Sequence, residues 1–83
     1  MDDPFLLTVN YKSKDQDFNA WLLLQGYTHK IKVQIGETAV FFEPDEESNY
    51  RAVKMSWQEQ KDLDKIDRRL LALIGQKIEE VVK

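Results

Sequence analysis

The sequence predicts a small α+β domain: an antiparallel β-meander of four or five strands with one long C-terminal α-helix packed across one face. Three observations carry this. Residues 5–55 read as short β-rich segments, while residues 57–82 read as one helix. The tight-turn signals Gln25-Gly26 and Gly36-Glu37 sit between segments of period-two alternation. The register those turns impose makes one sheet face almost wholly apolar, which requires a cover.

The first strand is expected over 5–11, where Phe5, Leu7, Val9 and Tyr11 alternate. Lys12 to Asp15 reads as a four-residue polar loop, and the second strand runs over 17–24. The third, over 27–35, places Tyr27, Ile31, Val33 and Ile35 on one side. A fourth covers 38–43, a breaker-rich turn follows over 44–49, and a poorly alternating fifth covers 50–55.

In a two-residue hairpin the flanking residues pair directly. Leu24 is then expected opposite Tyr27, Leu22 opposite His29 and Ala20 opposite Ile31. Around Gly36-Glu37, Ile35 faces Thr38, Val33 faces Val40 and Ile31 faces Phe42. The loop at 12–15 sets Val9 beside Phe18 and Leu7 beside Ala20. One face thus collects Phe5, Leu7, Val9, Phe18, Ala20, Leu22, Ile31, Val33, Ile35, Val40 and Phe42, the expected core face.

Ser56 and Glu59 have the spacing of a capping box, which starts the helix at Trp57. Trp57 reads as an anchor docking the helix onto the sheet edge. Asp64 with Arg68 and Glu79 with Lys83 are expected i,i+4 pairs. Leu63, Ile66, Leu70, Leu73, Ile74, Lys77 and Val81 form the main stripe, widened by Leu71, Ile78 and Val82. Such a helix is about 39 Å long at the standard rise. Strands of eight residues reach about 26 Å. The excess requires a diagonal crossing, a bend near Gly75, or a tail that docks on a second copy or a partner.

The 83 residues make one domain, 1–83, with no internal repeat. There is no cysteine, so no disulfide or thiolate chemistry, in keeping with a cytoplasmic location. The net charge is -3, with six Lys/Arg against nine Asp/Glu in 1–56 and six of each in 57–83. That is not the basic footprint of a nucleic-acid binder. No run of about 20 apolar residues marks a membrane span, and the acidic start Met1-Asp2-Asp3-Pro4 is no secretory signal. The expected partners are therefore an unknown protein or a second copy, not nucleic acid or membrane.

The polar sheet face carries the candidate interaction surface. The register sets Leu6, Trp21, Lys30 and Glu43 in one row and Asn19, Lys32 and Phe41 in the next. One reading is a solvated face with ordinary cross-strand pairs. The sharper reading is a contact patch of Leu6, Trp21, Lys30, Lys32 and Phe41, since aromatics interleaved with cations anchor interfaces. The apolar helix end, Ile74, Ile78, Val81 and Val82, is a separate docking candidate on the other side of the sheet.

Other constellations are weaker. Glu43, Asp45, Glu46 and Glu47 lack the spacing and glycine of an EF-hand and read as an acidic turn. His29 reads as a core-edge histidine, and Tyr11, Tyr27 and Tyr50 as amphipathic rings at strand ends. No glycine-rich phosphate loop and no nucleophile–base pair can be read, so no cofactor, metal or enzymatic activity is expected.

Gly26-Tyr27-Thr28-His29-Lys30-Ile31-Lys32-Val33 and the segment from Val40 to Val53 resemble those of short, uncharacterised bacterial proteins. The resemblance implies a small bacterial cytosolic protein and brings no catalytic residue. The expected role is a non-enzymatic protein-interaction or homo-oligomeric module. The alternative is a binder of a small apolar or amphipathic ligand held between helix and sheet.

Overall fold

The computed structural model describes residues 3–25, 28–47 and 49–82. It contains β1 (Phe5–Tyr11), β2 (Lys14–Gln25), β3 (Thr28–Ile35), β4 (Thr38–Pro44), β5 (Tyr50–Val53), α1 (Gln60–Asp64) and α2 (Arg68–Val82). The five strands form one antiparallel sheet in chain order. The C-terminal helix α2 packs on one face, bridging β1 and β5. The expected fold class is thus the observed one.

The Gly36-Glu37 hairpin has the expected register, with Ile35 opposite Thr38 and Ile31 opposite Phe42. Gly36 takes a φ of 61°, which suits a residue without a Cβ. The other two hairpins differ from expectation by two residues. Tyr11 pairs with Lys14, so the four-residue loop is really a two-residue turn at Lys12-Ser13. Both turn residues have positive φ, 53° and 65°, the requirement of a type I′ turn. Leu7 therefore faces Phe18, not Ala20. Between β2 and β3, Gln25 pairs with Thr28 and Leu22 with Ile31. The intervening Gly26 and Tyr27, like Ser48 and Lys83, lie outside the described residues, and so do the expected Leu24–Tyr27 and Glu79–Lys83 pairs.

A shift of two leaves every side chain on its assigned face, because the strand period is two. Leu7, Val9, Phe18, Ala20, Ile31, Val33, Val40 and Phe42 are buried together with Leu70, Ile74 and Ile78 of α2. Phe5, Ile35 and Tyr50 pack at the margin. Leu22 lies on this face but is 44% exposed, and Leu24 beside it is 75% exposed.

The reason is the helix. One continuous helix over 57–82 does not form. Ser56 and Trp57 lie in a turn, Glu59 takes the N-cap position of α1 without a side-chain bond, and the chain breaks again at 65–67. Asp67 causes the second break. Its Oδ1 accepts the Arg69 N–H at 2.9 Å, and the Leu71 N–H donates to its carbonyl, so Asp67 caps α2. Asp64, expected to pair with Arg68 across that break, instead accepts from the Gln60 side chain. With 15 residues α2 is about 22 Å long, against roughly 40 Å for the 12-residue β2. The length mismatch is the reverse of the expected one, and the far end of β2 stays uncovered.

Gly75 does not mark a projecting tail. A Cβ there would stand 2.7 Å from the Tyr50 carbonyl oxygen, so α2 rests directly on β5 at this point. Ile74 and Ile78 on either side of it are fully buried.

Candidate functional site: the sheet face opposite the helix

The face turned away from α2 is built by the alternate residues of all five strands. Its central row is Trp21, Lys32, Phe41 and Val53 from β2, β3, β4 and β5. The two-residue shift in the β2–β3 register puts Lys32, not Lys30, beside Trp21. The Lys32 ammonium stands 5.1 Å from the Trp21 ring centre, a cation–π contact. The next row is Leu23, Lys30, Glu43 and Arg51. Lys30 pairs with Glu43 at 3.5 Å, so the expected Lys30–Glu43 neighbours are observed. On the other side lie Leu6 and Asn19, a row away from Trp21.

Trp57 completes the strip. After β5 the chain wraps the end of β4, and the Trp57 ring meets Phe41 edge-on at 5.7 Å. The anchor expected at the sheet edge therefore docks on the face opposite α2. It covers Phe41, which is 6% exposed, while remaining 66% exposed itself. Gln58 holds the wrap in place. Its side-chain amide donates to the Ala39 carbonyl at 2.7 Å, and its Oε1 accepts the Met55 N–H at 3.0 Å. The Gln58 N–H donates in turn to the Met55 carbonyl. One buried side chain thus stands in for a strand where β5 has ended but β4 has not.

Of the residues expected to form an interaction surface, Leu6, Trp21, Lys30 and Lys32 lie on this face. Phe41 lies there too but is buried under Trp57. Ile74 and Ile78 belong to the core, because α2 folds onto its own sheet. Val81 and Val82 are half exposed at the helix end on the other side of the sheet and do not join the strip. Trp57, Gln58 and Arg51 are additions. Trp57 is legible as a docking aromatic, whereas the position of Gln58 depends on β5 ending at Val53.

The remaining constellations have structural roles. Asp45 Oδ1 accepts the N–H groups of Glu47 and Asn49, at 2.9 and 3.0 Å, so this carboxylate builds its own turn. Among the described residues no group of three His, Asp or Glu is placed to hold a metal. His29 Nε2 lies 2.7 Å from the Tyr50 hydroxyl, reaching over the intervening β4. Burial, then the negative charge of Glu79, raise the Tyr50 pKa above its ordinary value. A hollow of about 470 Å³ opens to solvent between β5, α1 and α2, floored by Leu63, Ile66 and Leu71 and rimmed by Lys54, Asp64 and Arg68. Among the described residues no helix is long and apolar enough to cross a membrane.

No protein-family model, curated protein or solved structure matches the chain.

Proposed function

We propose that this chain is a non-enzymatic cytoplasmic protein-binding module, and that its contact surface is the strip of Trp21, Lys32 and Trp57 with Leu6 and Arg51 at its margins. The observation that carries the reading is the treatment of the two tryptophans. Trp21 is held by Lys32 and Trp57 by Phe41, on the face opposite α2. Pre-positioned rings lose little side-chain freedom on binding, and Trp is among the commonest interface anchors. Lys32 and Arg51 beside them favour a partner segment that brings a carboxylate next to an apolar side chain.

The test is a comparison of partner capture by the wild-type chain and by Trp21→Ser and Lys32→Glu variants. Both should keep the wild-type melting temperature within a few degrees and lose the captured protein. Capture that survives both substitutions removes the strip from consideration. Phe41 is unsuitable for this test, since its burial makes any loss of binding ambiguous.

The ligand-binding alternative has one observation in its favour, the hollow beside β5. The space between α2 and the sheet is filled by Leu7, Ile31, Ile74 and Ile78, each at most 1% exposed. An amphipathic ligand would therefore sit at the edge of the sheet, and Leu71→Arg should abolish its binding while leaving the Trp21 surface intact.

A further inference from the structure

Strand β1 is an open sheet edge of a kind that proteins usually protect. It runs seven residues, FLLTVNY, with no charge, no proline and no bulge within it. The opposite edge, β5, has four residues and carries Arg51.

Which backbone groups of β1 are free follows from the turn. A type I′ two-residue hairpin closes on a hydrogen-bonded pair, here Tyr11 with Lys14. Bonded and non-bonded pairs then alternate. Val9, Leu7 and Phe5 bond to β2, and the N–H and C=O groups of Leu6, Thr8 and Asn10 point outward. Among the described residues, no backbone hydrogen bond outside the strand ladders engages these three.

We infer that β1 pairs antiparallel with β1 of a second copy about a two-fold axis at Thr8, joining two sheets into one of ten strands. Several features select this partner and register. Outward groups must meet outward groups, and full overlap of the seven residues is reached when Thr8 faces Thr8 and Leu6 faces Asn10. All six free N–H groups of the two strands are then bonded. The same register sets Tyr11 of one copy opposite Phe5 of the other, twice, on the α2 side. Both rings are now partly exposed at the margin of the core, and cross-strand aromatic pairs are favourable. Charge agrees as well. Asp3 of each copy comes beside the Lys12-Ser13 turn of the other, whereas parallel pairing would set Asp3 against Asp3 and Lys12 against Lys12. A shallow groove of about 220 Å³ between β1 and α2, lined by Val9, Leu73 and Lys77 among others, runs along the same edge and leaves it open to an incoming strand. This inference is independent of the Trp21 surface, which lies on a face of the sheet and not at its edge.

Sedimentation equilibrium tests it. The wild-type chain should approach twice its 9.8 kDa mass at micromolar concentration. Thr8→Pro removes an outward N–H without touching the β2 ladder, so it should keep the native circular dichroism and weaken association at least about tenfold. Thr8→Lys leaves the backbone intact and sets two like charges across the axis. It should give the same monomer and serves if Thr8→Pro does not fold. Reversing Asp3→Lys or Lys12→Glu alone should weaken the dimer, and combining them should restore it. A wild-type chain that stays monomeric to millimolar concentration overturns the inference, as does a dimer unaffected by Thr8→Lys.

Discussion

The Tyr11 hydroxyl donates to the carboxylate of Asp67, tying the end of the first strand to the start of the last helix. The same carboxylate accepts the Arg69 N–H through its other oxygen. Asp67 thus caps α2 and clamps it to β1 in one side chain.

Asp67→Ala should lower the melting temperature, by loss of both the cap and the clamp. Ser56→Ala, at the position the capping-box spacing marks, should leave it unchanged, since Ser56 lies in a turn ahead of α1. Thermal melts followed by circular dichroism distinguish the two. Equal effects would mean that Asp67 does not set the helix start.

Gln58→Leu should destabilise by about 1–3 kcal/mol, because the Ala39 carbonyl and the Met55 N–H lose their partner together. Gln58→Glu keeps the shape and the acceptor for Met55 but cannot donate to Ala39 when ionised. It should be destabilising at neutral pH and recover in acid. Urea titrations at two pH values give the comparison.

Gly75→Ala tests the approach of α2 to β5. In an open helix this change is stabilising by about 1 kcal/mol. Here the added methyl meets backbone at 2.7 Å, and backbone cannot swing aside. Overpacking of this kind costs about 1–3 kcal/mol, so the net sign should be unfavourable.

Ile31→Ala should cost about 2–5 kcal/mol, as Ile31 is 1% exposed. Leu22→Ala, across the strand pair from it on the same face, should cost well under half of that, because α2 stops short of covering it. Equal costs in denaturant melts would mean that the end of β2 is covered after all.

The tyrosines give a pH dependence with a definite sign. The hydrogen bond to Asp67, then burial, raise the Tyr11 pKa, while burial, then Glu79, raise that of Tyr50. A raised folded pKa means the folded state holds these protons more tightly. Their contribution is therefore complete below about pH 10 and is lost as pH climbs through the folded values. The Tyr11 hydrogen bond, then the Arg69 N–H, lower the Asp67 pKa, so its contribution is present above about pH 4 and is lost as pH falls through the folded value. Ultraviolet titration should show Tyr11 and Tyr50 ionising late, and Tyr11→Phe should remove one late-ionising group.

Much of the sheet was legible because alternation is a local property. Ile31, Val33, Val40 and Phe42 identify a buried face whatever their exact partners. The partners themselves depended on turns. Gly36-Glu37 announces its conformation through glycine, but Lys12-Ser13 adopts positive φ with ordinary side chains, and nothing in those two residues signals it. The helix was over-read because its apolar spacing continues across residues 65–67, where Asp67 responds to Tyr11, 56 positions away. On the candidate site, Trp21 and Lys32 were legible as members of one face. Their contact was not, since it rests on the two-residue shift between β2 and β3.

Each strand pairs with its successor in the chain, and the turns at Lys12-Ser13 and Gly36-Glu37 have two residues each. Hairpins with such short closures form in about 1–10 μs. Docking α2 against β1 instead requires closing a loop of more than fifty residues, marked by the Tyr11–Asp67 bond. On this ground sheet assembly is expected to run ahead of the docking of α2 on β1, with the side chains of Leu7, Val9, Ile31 and Val33 facing water in that interval. The folding transition state should accordingly resemble a bare meander, with core substitutions in β3 and β4 slowing folding and those in α2 speeding unfolding.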